Sequence, residues 1–233
     1  MAAGAPGVPA RIDDDRGTWI GTGGTADLDT REPMPSEARF RVASVTKSMV
    51  AAVVLQLVQE SRLSLDEPIG KRLPGQIDGG DRITVRELLN HTGGLATYDH
   101  AAEFADPEQY GKRTYTPRQL TDEAERLPRP ERGRFSYSNT GYILLGLTTP
   151  QAPVFPRYGL GLESVGLTCG ETWGATGSIP GYQTFSFADA TGERRMTLSV
   201  NVQRNDRAVA RMLLAAVDAL NRYFCGEPYK LPG

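Results

Sequence analysis

The sequence predicts an α+β fold, in which an antiparallel β-sheet is flanked by helices and a helical lobe is inserted into it. Strand-like segments occupy both ends of the 233-residue chain, and helical patterns fill the region between them. Hydrophobic residues make up 39% of the chain and charged residues 23%, as in ordinary globular domains. We therefore assign residues 1–43 and 157–233 to an α/β sheet domain and residues 44–156 to a helical lobe.

The N-terminal part of the chain predicts two strands followed by a helix. Residues 9–13 and 18–27 carry strand-forming patterns and are joined by a turn at 14–17. Apolar residues then crowd positions 49–58, which indicates a helix. Ser44 is a residue type that suits the N-terminus of this helix.

Three more helices follow, two of them marked by capping boxes in which a threonine precedes Glu or Gln by three residues. They begin at Thr84 (with Glu87), at Thr116 (with Gln119, and Pro117 at the first helical position) and near Thr140. The first of the three is expected to stop at the Gly93–Gly94 pair, and the last is expected to end near Leu147.

The remaining chain predicts a series of strands and a terminal helix. The strand-like segments are 158–163, 172–176, 183–188 and 195–202. The turn at 189–193 joins the last two strands as a hairpin. An amphipathic pattern over 207–224 predicts the final helix.

Charge and composition exclude several classes of protein. The net charge is −2 without a basic patch, so we expect no nucleic-acid partner. No apolar run approaches the roughly 18–20 residues of a transmembrane segment. Residues 1–9 lack the features of a signal peptide, which leaves a cytosolic protein or an exported one without its leader. The two histidines, His91 and His100, form no pair at ligand spacing, so neither a metal nor a cofactor is predicted.

The chain contains two cysteines, Cys169 and Cys225. Their separation is compatible with a single disulfide in an exported protein. It is equally compatible with two free buried thiols, and composition and spacing do not decide between these alternatives.

The candidate nucleophile is Ser44, in the sequence Ser44-Val45-Thr46-Lys47. Residues three apart share one face of a helix, so Lys47 is expected to lie beside Ser44, where it can take or tune the hydroxyl proton. The helix N-terminus also favours developing negative charge. In isolation, the motif is better explained by a helix cap followed by a solvated lysine.

Two further motifs carry possible chemistry. In Tyr137-Ser138-Asn139, the phenol can shuttle a proton and the amide can bond both a substrate carbonyl and a lysine. The alternative is a packed tyrosine with an asparagine cap. In Ala175-Thr176-Gly177-Ser178, small residues would let a substrate pair with the strand backbone, the alternative being an ordinary strand end and turn.

Together the three motifs resemble the penicillin-recognising serine hydrolases, because they follow one another in the order S-x-x-K, Y-x-N, x-T-G. The likeness is greatest to the secreted D-alanyl-D-alanine carboxypeptidases of actinomycetes, which are related to class C β-lactamases. The segments that carry it are RVASVTKS at 41–48, LQLVQE at 55–60, DRITVRELLNHTGGL at 81–95, FSYSNTGY at 135–142, RYGLGL at 157–162, GSIPGYQTFSFA at 177–188 and RYFCGEP at 222–228.

The resemblance implies a β-lactamase or DD-peptidase-like fold and an acyl-enzyme mechanism. Ser44 would be the nucleophile, Lys47 the assisting base, and Tyr137 the relay that protonates the leaving amine. The expected substrate-binding residues are Asn139, Thr176, Gly177 and Ser178, with the backbone N–H groups of Ser44 and Ser178 forming the oxyanion hole.

The resemblance also implies the compartment, the substrate class and the oligomeric state of the protein. It favours a Cys169–Cys225 disulfide and therefore a secreted protein. A small peptide or a β-lactam-like compound would be the substrate, and we expect the protein to be a monomer.

The sequence departs from the family pattern at three places. Ala175 stands where the third motif has His or Lys, and Glu163 stands where the carboxypeptidases have an arginine that pairs with the free substrate carboxylate. Between the helix at 140–147 and the strand at 158, roughly a hundred family residues have no counterpart, a domain-sized difference. The sequence at 91–94 (HTGG) looks like a third motif but precedes Tyr137, so we expect it to end a helix.

These departures leave three hypotheses. The first is a serine hydrolase that acts on D-Ala-type peptides or β-lactams. The second is an esterase or amidase of the same fold, which Glu163 favours. The third is a penicillin- or peptide-binding remnant with impaired catalysis, which Ala175 and the short lobe favour.

Overall fold

The computed structural model describes residues 4–106, 113–148, 161–201 and 206–229, with the backbone alone described at 206–210. The chain divides into two compact units. The sheet unit comprises Met1–Val45 and Glu163–Gly233, and the helical unit comprises Thr46–Leu162. The predicted α+β class with an antiparallel sheet is confirmed.

The sheet has six strands in the order β2-β1-β6-β5-β4-β3, and every neighbouring pair is antiparallel. The strands are β1 (Gly7–Asp14), β2 (Gly17–Gly24), β3 (Glu163–Leu167), β4 (Gly170–Ile179), β5 (Tyr182–Ala188) and β6 (Arg195–Asn201). The N-terminal hairpin is thus joined to the C-terminal strands through the pairing of β1 with β6.

The five helices of the described residues are numbered in chain order. They are α1 (Thr46–Gln59), α2 (Val85–Leu89), α3 (Pro117–Glu125), α4 (Asn139–Thr148) and α5 (Asp206–Cys225). Both predicted capping boxes are present. The side chains of Thr84 and Thr116 each accept from the backbone N–H three residues on, and their own backbone N–H groups donate to the side chains of Glu87 and Gln119. These caps explain why α2 and α3 begin where the sequence predicted.

Two predicted elements have different bounds. Of the strand expected over 158–163, Glu163 opens β3, whereas Gly161 and Leu162 are not in a strand. Residues 158–160 lie outside the described residues. The strand expected over 18–27 ends at Gly24, where a backbone φ of +75° turns the chain. A Cβ at Gly24 would come 2.0 Å from the carbonyl oxygen of Pro6, so the turn also requires a close backbone approach.

In the sheet unit, α5 covers one face of the sheet. Apolar side chains on alternate positions of the strands pack with Ala216, Leu220 and Phe224 of this helix. The strand residues of this core are Phe185, Phe187, Met196 and Leu198, with Val8, Ala10, Ile12, Val165 and Leu167 partly buried against them.

A disulfide links the C-terminal end of α5 to the sheet. Cys169, in the turn between β3 and β4, is bonded to Cys225, with 5.5 Å between their Cα atoms. Beside it, the fully buried amide of Asn221 accepts from the backbone N–H of Thr168 at 2.9 Å and donates to the carbonyl of Glu227 at 2.9 Å. The disulfide that the family resemblance implied is therefore confirmed.

In the helical unit, α1, α2 and α4 share one apolar core. Its largest fully buried side chains are Ile69, Leu88, Leu89, Tyr142, Leu144 and Leu145, together with Val50, Val54 and Val85. The hydroxyl of Tyr142 donates to the carbonyl oxygen of Leu89 at 2.8 Å, so the polar end of this buried ring is satisfied. Helix α4 ends at Thr148, and the segment where the lobe looks short, 149–160, lies outside the described residues.

Candidate active site

Lys47 lies on the buried stripe of α1. The buried residues of this helix are Lys47, Val50, Ala51 and Val54, which recur at three- and four-residue spacing on one face. The lysine is 6% exposed. An amine in this environment needs hydrogen-bond partners, because burying a cationic group without them is costly. The alternative of a solvated lysine is therefore wrong.

Two side chains near α4 supply those partners. The Nζ of Lys47 donates to the hydroxyl oxygen of Tyr137 at 2.6 Å and also to Oδ1 of Asn139. The residues are separated by 90 and 92 positions in the chain, and all three belong to the helical unit. The structure thus brings together three of the side chains that the motifs singled out.

Ser138, rather than Asn139, caps helix α4. The Oγ of Ser138 accepts from the backbone N–H of Gly141 at 3.2 Å and donates to the carbonyl oxygen of Ala96 at 3.2 Å. Because the serine takes the capping role, the side chain of Asn139 can turn to Lys47. The alternative of an asparagine cap is therefore wrong.

His91 holds the backbone on both sides of Tyr137, a role that sequence reasoning missed. Its carbonyl oxygen accepts from the N–H of Ser136 at 2.9 Å, and its Nδ1 accepts from the N–H of Ser138 at 3.1 Å. Its ring lies 4.6 Å from the ring of Tyr137, centroid to centroid. Since a backbone N–H can only donate, Nδ1 is the unprotonated nitrogen of a neutral imidazole.

The position of His91 follows from an early end to α2. The helix was expected to reach Gly93–Gly94, but it stops at Leu89 because His91 adopts a left-handed backbone with φ of +61°. The N–H groups of Thr92 and Gly93 then both donate to the carbonyl oxygen of Glu87, at 2.9 and 3.1 Å. The only signal in the sequence was a histidine shortly before a glycine pair, which does not reveal the contact with Tyr137.

An ion pair ties the start of α2 to the loop that leads to Tyr137. Arg132 bonds both carboxylate oxygens of Glu87, at 2.9 and 3.0 Å. Burial alone raises the pKa of Glu87, but the hydrogen bonds from Arg132 and from Thr84 outweigh it, so the pKa of this carboxyl is lower than usual. The hydrogen bond to Glu87 raises the pKa of the Arg132 guanidinium.

In the sheet unit, Ser44 lies in a tight 3-10 turn, Ala43–Val45, that passes directly into α1. The preceding residue, Ala43, has a φ of +48°, an uncommon conformation for a residue with a Cβ. Such local strain concentrates at functional positions. The serine is partly exposed and so can reach a small molecule.

Strand β4 passes very close to this turn. A Cβ on Gly177 would lie 2.1 Å from the carbonyl oxygen of Val42 and 3.0 Å from the backbone nitrogen of Ser44. Only glycine permits this approach of two backbones. The requirement gives a structural reason for the glycine in the third motif.

The other residues of the third motif are placed by the pairing of β4 with β5. Thr176 is opposite Phe185 and Ser178 is opposite Gln183, whose Nε2 donates to Ser178 Oγ at 2.6 Å. On its other side, β4 is paired with β3 only from Gly170 to Gly174.

The two departures from the family motifs both lie in the sheet unit. Ala175 is 1% exposed and opposite Ser186, so its methyl group is fully buried and no cationic side chain occupies this position. Glu163 is the first residue of β3, opposite Gly174. Glu163 therefore lies in β3 and Ala175 in the neighbouring strand β4.

Neither a metal cluster nor a membrane span is found in the described part of the chain. No group of three or more His, Cys, Asp or Glu residues there is arranged to hold a metal ion. None of the helices described is both long enough and apolar enough to cross a bilayer.

Three features define the β-lactamase-fold class of proteins. They are the antiparallel sheet, the Ser-x-x-Lys segment that opens α1 and the Tyr-x-Asn segment bonded to its lysine. The chain belongs to the Beta-lactamase family, which matches residues 1–150. Among curated relatives, esterase EstB of Burkholderia gladioli is 43% identical over 77 residues, which are 31% of this chain and 20% of the esterase. The chain spans between a fifth and a third of the length of such relatives.

Two solved structures share the fold across nearly the whole chain. A D-stereospecific amidohydrolase from a Streptomyces species has a TM-score of 0.77 and 24% identity, with 97% of this chain and 95% of that chain covered. The D-amino acid amidase of Ochrobactrum anthropi SV3 has a TM-score of 0.75 and 18% identity, with 94% and 96% covered. At these identities the similarity establishes the fold alone.

Proposed function

We propose that this protein is a serine hydrolase that forms an acyl-enzyme on Ser44 and acts on amides or esters of D-amino acids. The observation that carries the proposal is the bonding of the buried Lys47 to both Tyr137 and Asn139. Buried ionisable side chains that share specific partners are concentrated at functional sites. This lysine stands three residues after the only Ser-x-x-Lys serine, at the start of the same helix.

In the proposed reaction, the Oγ of Ser44 attacks the carbonyl carbon while its proton passes to Lys47. Tyr137 and Asn139 account for the two N–H bonds of a neutral amine, which leaves a lone pair for this proton. The oxyanion of the tetrahedral intermediate would be stabilised by the backbone N–H groups of Ser44 and Ser178.

The leaving group departs when the C–N or C–O bond breaks. Tyr137 donates its proton to the departing amine or alcohol, and Lys47 returns a proton to Tyr137. Water then attacks the acyl carbon while one of its protons passes to the amine of Lys47. The C–Oγ bond breaks and Ser44 Oγ takes that proton from Lys47, which releases the acid and regenerates the serine. Every proton is accounted for without a metal or a cofactor.

Two observations favour an amide or ester over a peptide with a free carboxylate. Position 175 carries a buried methyl group in place of a cation, and Glu163 stands where a carboxylate-binding arginine would be expected. An anionic carboxylate near Glu163 would be repelled rather than bound. The named activities of the amidohydrolase and amidase of similar fold agree with this substrate class.

A D-Ala-D-Ala carboxypeptidase is the second candidate. It is favoured by the order of the three motifs along the chain. Thr176 would then contribute to holding the peptide carboxylate.

We also infer that the protein acts outside the cytosol. The Cys169–Cys225 disulfide supports this, because such bonds persist mainly in oxidising compartments. A small substrate and a monomeric state remain predictions.

The test is intact-mass spectrometry after incubation with benzylpenicillin, together with hydrolysis assays on D- and L-phenylalaninamide, a D-phenylalanine ester and a D-alanyl-D-alanine peptide. The parent, Ser44→Ala and a matched control, Ser64→Ala at an exposed serine, are compared. We expect a covalent adduct on the parent and on Ser64→Ala but none on Ser44→Ala, with the D-amide or the ester hydrolysed fastest.

Each alternative gives a different result. Turnover of the free-carboxylate peptide in preference to the amide and ester would favour the carboxypeptidase. Adduct formation without turnover would identify a binding remnant. A folded parent that neither forms an adduct nor hydrolyses any of these compounds would refute the proposed function.

A further inference from the structure

Three residues that no motif singled out lie against the start of α4, in the segment Thr97–Asp99. The Oγ1 of Thr97 accepts from the backbone N–H of Asn139 at 3.0 Å. The backbone N–H of Tyr98 donates to Oγ1 of Thr140 at 3.0 Å. The carboxylate of Asp99 accepts from Nδ2 of Asn139 at 3.0 Å. Because Thr97 also donates its hydroxyl to the same Asp99 oxygen, the contacts form a closed ring around Asn139.

The direction of every bond in this ring is fixed by chemistry. The backbone N–H of Asn139 can only donate, so Thr97 Oγ1 accepts there and is left with its own hydrogen for Asp99. A carboxylate can only accept, so the atom of Asn139 that faces Asp99 must be its nitrogen. The opposite atom of the amide, the oxygen, is then directed away from Asp99.

Lys47 contacts the other atom of the same amide. Its Nζ donates to Oδ1 of Asn139, whereas Nδ2 donates to Asp99. If the amide rotated by half a turn, its oxygen would face the Asp99 carboxylate, and that hydrogen bond would be lost. Both contacts therefore agree with one orientation of the amide.

We propose that Thr97 and Asp99 are positioning residues that lock the amide of Asn139, so that its oxygen is held toward Lys47 and one N–H remains for the substrate. This inference rests on the proposed function, because it assigns the purpose of the lock to acylation. Nδ2 has two hydrogens, and one of them is taken by Asp99. In the described part of the chain, the other has no protein partner and can donate to a substrate carbonyl.

The lock separates two roles that one amide could not otherwise combine. The oxygen accepts from Lys47 and so orients the amine to accept the proton of the serine. The nitrogen donates to the carbonyl of the substrate. Asp99 itself is solvent-exposed and bonds only Thr97 and Asn139 among the described residues, so it acts through the asparagine and not on the reacting atoms.

The test uses paired variants that remove or retain each bond. Asp99→Ala and Thr97→Val remove a link in the ring, whereas Asp99→Asn retains an acceptor oxygen and Thr97→Ser retains the hydroxyl. Asp122→Asn on α3, whose carboxylate pairs with Arg118, is the matched control for loss of a surface carboxylate. Acylation rates are measured by stopped-flow or timed mass spectrometry, and the Asn139 side-chain NH₂ signals are measured by NMR.

We expect Asp99→Ala and Thr97→Val to slow acylation about fivefold to tenfold, which is the usual effect of one lost hydrogen bond. The change should appear in the acylation rate constant and not in KM. Asp99→Asn, Thr97→Ser and Asp122→Asn should stay within about twofold of the parent, since each keeps the ring. In the parent, the Asn139 NH₂ protons should exchange slowly with solvent, and in Asp99→Ala they should exchange rapidly.

Failure of this inference is distinguishable from failure of the proposed function. If the parent is not acylated by any probe, the proposed function fails, and the NMR signals alone decide whether the lock exists. Unchanged Asn139 exchange in Asp99→Ala would overturn the inference, whatever the acylation rate. Equal acylation in the parent and Asp99→Ala would also overturn it.

Discussion

The two units of this protein carry different kinds of motif residues. The helical unit supplies side chains: Lys47, Tyr137 and Asn139 form a bonded cluster, and His91 and Asp99 hold its members in place. The sheet unit supplies mainly backbone, through the strained turn at Ser44 and the close approach of Gly177 to it.

Two of the three departures from the family pattern, Ala175 and Glu163, lie in the sheet unit. The third, the short segment after Thr148, lies outside the described residues. In the helical unit, Lys47 is bonded to both Tyr137 and Asn139. Under the proposed function, the side chains that activate a serine are therefore retained, while residues that recognise the substrate differ. Variants in each unit can show whether the two functions are separable.

The largest effect is expected in the helical unit, from Lys47→Arg. Arginine keeps the positive charge but cannot give up its proton, so it cannot act as a base toward Ser44. We expect acylation to fall about a thousandfold, within the range for loss of a general base. The rate is measured by timed mass spectrometry with benzylpenicillin or an activated ester.

The matched control is Lys71→Arg, at an exposed lysine that pairs with Glu67. It should acylate at the parent rate. Thermal unfolding of both variants shows whether the buried substitution also disturbs the fold. An acylation rate in Lys47→Arg within tenfold of the parent would mean that Lys47 is not the base.

A smaller effect on acylation, with a loss of stability, is expected in the sheet unit from Gly177→Ala. The added Cβ would meet the carbonyl oxygen of Val42 at 2.1 Å, so the two backbones must separate by about 1 Å. A displacement of that size near reacting groups costs roughly a hundredfold in rate. Overpacking of this kind also destabilises by about 1–3 kcal/mol, which would lower the Tm by several degrees.

Gly166→Ala in β3 is the matched control, because a Cβ there meets no described atom within 4 Å. We expect it to leave both acylation and Tm nearly unchanged. If Gly177→Ala behaved like Gly166→Ala in the acylation assay and in thermal unfolding, the close approach of β4 would be unimportant and the comparison between the two units would fail.

The features that could be predicted from sequence are those fixed by near neighbours in the chain. The capping boxes at Thr84 and Thr116 placed the starts of α2 and α3, because both halves of each box lie within one helical turn. The hairpin between β5 and β6 was likewise marked by its own turn residues. The fold class followed from strand patterns at both ends of the chain with helical patterns between them, and the disulfide came from the family resemblance.

The features that could not be predicted depend on contacts between distant segments. Helix α2 ends four residues before the glycine pair because His91 takes the left-handed position, and its carbonyl and ring bond residues 45 and 47 positions later. The bonds from Asn139 to Thr97 and Asp99 span 42 and 40 positions. No local pattern encodes such pairings, so the residues that position the cluster emerged only from the structure.

The smallest effect is expected from Glu87→Gln, which tests the support of the helical cluster rather than its chemistry. Glutamine keeps the capping box with Thr84 but loses the ion pair with Arg132, so the variant should be less stable by about 0.5–1 kcal/mol at neutral pH, with acylation unchanged.

The pH dependence gives the sign of this effect. Because the folded-state pKa of Glu87 is lowered, its contribution is fully present above its ordinary value of 4.5 and is lost as the pH falls through the folded-state pKa. The unfolding curves of the parent and the variant, followed by circular dichroism from pH 7 to pH 3, should therefore converge below about pH 4.5.

Asp66→Asn, at a largely exposed pair with Arg86, should show no measurable difference from the parent at any pH. A constant stability offset between the parent and Glu87→Gln across the whole pH range would mean that the carboxylate charge contributes nothing, and that the site is supported by the capping hydrogen bonds alone.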